Sequence, residues 1–116
     1  MKLDEIARDI HLNAVEKGFW DYIYNHQDMP LDNFIFYAKQ IAMIHSEGTE
    51  VLEALRKQKG EQQVVEELAD IIIRVLDLYY GLLSNGEVSL SLDDIMEEKL
   101  KINEKSFNIN FCFINV

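Results

Sequence analysis

The sequence predicts an all-α fold: a four-helix bundle-like subunit of an oligomer, ending in a short extended C-terminal tail. Three observations lead there. Apolar residues recur at helical spacing through most of the 116 residues. The single proline and three of the five glycines fall where helices should start or stop. The segment from about Gln62 to Leu83 is apolar around most of its circumference, as suits a helix in the middle of a bundle or in a subunit interface.

The first helix is expected from about Leu3 to Lys17, with Ile6, Ile10 and Ala14 along one stripe and Gly18 as the stop signal. An aromatic loop follows, "GFWDYIYNHQDMP". Pro30 suits the first turn of the second helix, where its missing N–H is not needed. That helix should run from about Leu31 to Lys59 and stop at Gly60, although Gly48 interrupts its interior. Gly48 is read in two ways, as room for a neighbouring backbone or ligand and as a tolerated surface position.

The third helix ends at "SNG", a turn signal. Its remaining polar arc holds Glu66, Glu67, Asp70, Arg74 and Asp77. Arg74 and Asp77 are expected to pair locally, the other reading being that Arg74 reaches a ligand phosphate. The fourth helix opens with Ser91 as N-cap and Asp94 three residues on, an acidic variant of the capping box, and continues to about Lys105. These helices make one domain over residues 1–106. In residues 107–116, Phe107, Ile109, Phe111 and Phe113 alternate with Asn108, Asn110 and Cys112, the period of an extended strand. A lone strand needs support, so this tail should pack on the domain or on a second subunit.

Composition excludes several classes of function. A formal net charge of −10 leaves nothing to displace the counterions of a nucleic-acid duplex, and it disfavours an anionic membrane. A phosphorylated small molecule is compatible if a divalent cation intervenes. One cysteine, a charged N-terminus without an apolar core and the absence of a long apolar run point to a cytoplasmic protein.

The stretch "IHSEGTEVLEALRK" puts acids on an otherwise apolar helix. Glu47 has Met43, Ile44 and Val51 as helical neighbours, and Glu50 lies about 60° round from it. Glu67 and Asp70 repeat the spacing on the next helix. Helices joined through the short "QKGE" connection pack antiparallel, and both pairs lie at similar distances from Gly60, so all four carboxylates can converge. Such crowding is costly unless a cation offsets it. Oxygen-only ligands suit Mg²⁺, with Mn²⁺ as a substitute. Glu53 and Glu66 are read as ordinary surface acids. His11, His26 and His45 lack metal-ligand spacing, and no glutamate is followed three residues later by a histidine, which argues against a di-iron bundle.

The acid pattern resembles that of MazG-like nucleotide pyrophosphohydrolases of the all-α NTP pyrophosphatase superfamily. Glu47 and Glu50, sixteen intervening residues, then Glu67 and Asp70 match the signature. "HLNAVEKGFWD" is similar to that group's opening segment, and "KLKIN" supplies Lys99 and Asn103. The resemblance spans about Ile6 to Asn103. It implies a Mg²⁺-dependent hydrolase that converts a nucleoside triphosphate to the monophosphate and pyrophosphate in nucleotide-pool house-cleaning, assembled as a homodimer or homotetramer.

On this resemblance Glu47, Glu50, Glu67 and Asp70 hold the metal, and Glu50 serves as catalytic base. Lys99 and Asn103 contact phosphate or sugar, and Asn13 is a further ligand contact. Trp20 or Phe19 stacks on the base, the other reading of Trp20 being that it closes the core. Two positions depart from the family: Ser106 and Phe107 stand where an Arg-Pro pair is usual, and Gly48–Thr49 replaces a larger aliphatic and a small residue. The alternatives are a phosphoribosyl-ATP pyrophosphatase and a catalytically weak helical nucleotide-binding or regulatory protein.

Overall fold

A computed structural model describes residues 1–26 and 30–109, with side chains described for 1–26 and 33–104. Among the described residues all regular structure is helical. The elements are α1 (Leu3–Glu16), α2 (Asp21–Asn25), α3 (Pro30–Arg56), α4 (Glu61–Ser84) and α5 (Leu92–Ile109). The four expected helices are present, and α2 adds a single short turn inside the segment read as a loop. α5 continues through Ile109, so the first three residues read as extended are helical. The rest of the expected tail lies outside the described residues. No described helix is long and apolar enough to cross a membrane.

Three of the helices stop in the same way. Phe19 N–H reaches back to Ala14 O and Gly18 N–H to Val15 O, with Gly18 at φ 84°, a Schellman ending on α1. Gly86, at φ 76°, performs that role after α4, where Glu87 N–H bonds Leu82 O. After α3 the left-handed position falls on Gln58, at φ 54°, with Lys59 N–H bonded to Ala54 O. α3 therefore ends at Arg56 rather than at Gly60, and Gly60 (φ 101°) becomes the N-cap of α4. Gly48 leaves α3 unbroken, and a Cβ built there would meet nothing within 4 Å. Its reading as a site of close approach by a neighbouring backbone is thereby corrected.

α4 packs against both α1 and α3 and is the central helix. The α3–α4 pair is antiparallel: Met43 and Glu47 of α3 meet Arg74 of α4, while Tyr37, earlier in α3, meets Asn85 beyond the end of α4. The core gathers around Trp20, which is fully buried. Its ring packs edge-on to His11 and tilted on Phe36, at centroid distances of 4.7 and 5.1 Å. Gly81 of α4 is what admits the indole, since a Cβ there would lie 2.0 Å from a ring carbon.

The indole Nε1–H donates to both oxygens of Asp77 at 3.0 and 3.1 Å, and His11 Nδ1 lies 2.9 Å from Asp77 Oδ1. His11 Nε2 lies 3.2 Å from Tyr24 Oη. One carboxylate on α4 thus ties α1, the segment after it and α2 into the core. Buried donors need such an acceptor.

α5 joins α1 through reciprocal caps. Leu3 and Asp4 donate their N–H groups to Asp93, and Asp93 N–H donates to Asp4. Ser91 accepts from Asp94 N–H at 3.3 Å, the expected N-cap. On α4, Val65, Leu68, Ile72 and Val75 stay exposed along one face. The radius of gyration is 16.9 Å, against about 13 Å for a compact domain of this length. Helices of 27 and 24 residues make the molecule elongated, and among the described residues this apolar face is exposed.

Candidate metal centre and adjoining pocket

Antiparallel packing carries Glu47 and Glu50 of α3 to the level of Glu67 on α4. Ligand oxygens of these three glutamates lie within 4.8 Å of one another. Glu47 is only 9% exposed. Three carboxylates this close repel unless a proton or a cation offsets the charge. The pKa of the Glu50 carboxyl is accordingly raised from its ordinary value, first by the neighbouring Glu67 carboxylate and then by the charge of Glu47.

Two of the acids are held by internal donors. Arg74 Nε–H donates to Glu47 Oε1 at 2.8 Å, and Gln63 Nε2–H donates to Glu67 Oε1 at 3.1 Å. In both residues the second oxygen, Oε2, is buried and has no hydrogen-bond partner among the described residues. A buried acceptor without a partner is expensive and needs a reason. These residues fit a hard divalent cation: the donor set is oxygen only, and two of its oxygens are shielded from water and unsatisfied.

Asp70, the fourth expected ligand, does not join this cluster. Three residues on from Glu67, it is rotated round α4 toward α1 and lines a neighbouring pocket. That pocket, about 340 Å³, lies between α1 and α4, with Asn13, Lys17, Phe19, Glu47, Asp70 and Arg74 among its walls. Glu47 belongs to both cluster and pocket, so the two features adjoin.

The other expected site residues divide. Asn13 lines the pocket. Trp20 does not present a surface for base stacking; it closes the core, because its N–H is committed to Asp77 and its ring fills the space over Gly81. Phe19 is 64% exposed and lines the pocket. Lys99 and Asn103 are exposed on α5, and neither lines this pocket.

The expected Arg74–Asp77 pair is replaced by two others. Arg74 goes to buried Glu47, and Asp77 is taken by Trp20 and His11. Cross-helix needs in the interior prevail here over a neighbour three residues away. Gln63 and Lys17 carried no signal beyond their helical position. His11, which lacks metal-ligand spacing, is buried in the core network.

No family model matches the chain, and neither a curated protein nor a solved structure matches it.

Proposed function

We propose that the protein is a Mg²⁺-dependent nucleoside triphosphate pyrophosphohydrolase of the MazG-like kind, acting in the cytoplasm on the nucleotide pool. The observation that carries this reading is the pair of buried oxygens on Glu47 and Glu67 without a hydrogen-bond partner among the described residues, set beside Glu50, with Glu47 also lining the adjoining pocket. The family resemblance of the acid pattern, of "EKGFW" and of Lys99 with Asn103 supplies the reaction.

A divalent cation held by Glu47, Glu50 and Glu67 would neutralise charge on phosphate oxygens and lower the pKa of an attacking water. Glu50 is the exposed member of the three and takes that water's proton. The oxygen bonds to phosphorus, a phosphoanhydride P–O bond breaks, and pyrophosphate leaves from the nucleoside monophosphate. Phe19 offers its ring face to the base. Asn13 and Lys17 supply a hydrogen-bonding amide and a positive charge on the α1 wall, and Asp70 faces them from α4. A second copy of the chain covers the exposed apolar face of α4, as a homodimer or homotetramer would require.

Incubation with a panel of ribo- and deoxyribonucleoside triphosphates and phosphoribosyl-ATP, in the presence of Mg²⁺, tests this reading. Pyrophosphate with a monophosphate product supports it, and turnover of phosphoribosyl-ATP alone identifies the sister activity. Orthophosphate alone rejects the bond choice. Binding without release of either leaves a nucleotide-binding protein.

A further inference from the structure

The two orphaned oxygens share a pattern. In Glu47 and in Glu67 one oxygen is captured by a donor from α4, Arg74 or Gln63, and the other is buried and left free. A carboxylate with one oxygen pinned cannot rotate to satisfy the other, so each donor fixes the direction of a lone pair. Charge follows the same plan. Three clustered carboxylates face one guanidinium, which leaves two negative charges to be offset. Asp70 and Lys17, one negative and one positive, both line the adjoining pocket and stand outside this count.

We propose that Gln63 and Arg74 are the positioning residues of this centre, and that the nucleotide-free protein takes up one divalent cation per chain. The proposal rests on the cation reading above. Gln63 acts through orientation alone. Arg74 adds a positive charge that matches the centre to a single doubly charged ion. Partners of metal-binding carboxylates commonly control affinity about ten- to a hundredfold.

Calorimetric titration of the full chain with Mn²⁺ alone tests it, using two variants that keep the net charge. Gln63→Met removes the donor from a half-buried helical position. Arg74→Lys keeps the positive charge but loses the rigid planar fork. The expected result is one Mn²⁺ per wild-type chain, and about tenfold or weaker binding by each variant with unchanged stoichiometry. Melting in chelator serves as a second readout: a merely structural role would lower the melting temperature there and leave affinity alone. Wild-type affinity in both variants overturns the positioning role, and two or more ions per wild-type chain overturns the charge argument, while the cation reading survives either result. No uptake by the wild type removes the cation reading and this proposal together.

Discussion

Arg74 and Glu47 are joined across the α3–α4 interface, Nε to Oε1 at 2.8 Å, and the free oxygen of Glu47 is buried beside Glu50 and Glu67. The guanidinium is one-third exposed and the carboxylate nearly closed off, so the pair sits at the boundary between core and pocket. Arg–carboxylate pairs frequently use both carboxylate oxygens in a bidentate fork. This one holds a single oxygen.

Glu50→Gln separates stability from activity. In chelator the substitution removes one of three mutually repelling carboxylates, so the melting temperature should rise above that of the wild type. With Mg²⁺ and nucleotide, turnover should fall to background. A variant that melts lower in chelator would show that Glu50 is not held against its neighbours' charge.

Gly81→Ala tests the core. The new methyl would meet the ring of buried Trp20, an atom group with no free end to swing away. Overpacking of this kind costs about 1–3 kcal/mol, and the helix-propensity gain of about 1 kcal/mol offsets only part of it. Urea unfolding should show a net loss. Emission from Trp20, the chain's one tryptophan, should shift to the red.

Gly48→Ala should do the reverse. This glycine lies inside α3 with open space where a side chain would point. The expected gain is about 0.5–1 kcal/mol in urea unfolding, with Mn²⁺ affinity unchanged. A loss of cation or nucleotide binding would mean that the open space belongs to a ligand.

Asp77 is predicted to be structural first. Asp77→Leu leaves Trp20 Nε1–H without its acceptor and deprives His11 Nδ1 of its partner, and should destabilise the protein by about 2–4 kcal/mol. Asp77→Asn keeps one oxygen for the indole and should lose about half as much. Equal losses would place the importance of Asp77 in its charge rather than in hydrogen bonding.

The helices could be read from the chain because their apolar spacing is local information, and the register of Glu47 and Glu50 against Glu67 followed from counting outward from the hairpin. The stop of α3 could not be read, since the left-handed position fell on Gln58 rather than on a glycine. α2 is only five residues long and carries no period of its own. Asp70 shares the spacing of the other acids, and its turn away from Glu67 is ordinary helix geometry, but that this turn brings it to a pocket wall beside α1 rather than into the cluster is a tertiary fact. The same holds for Arg74, which could have joined Asp77 on its own helix and instead crossed to Glu47. Trp20 went to the core because Gly81, sixty-one residues later, makes the space.

Crystals of the full chain soaked in Mn²⁺ and recorded at the manganese absorption edge give the most direct test of the centre. We predict an anomalous peak bounded by the carboxylates of Glu47, Glu50 and Glu67, contacting Oε2 of Glu47 and of Glu67, with Arg74 and Gln63 still on the opposite oxygens. An empty cluster at saturating Mn²⁺, or a peak held elsewhere on the surface, would contradict the account.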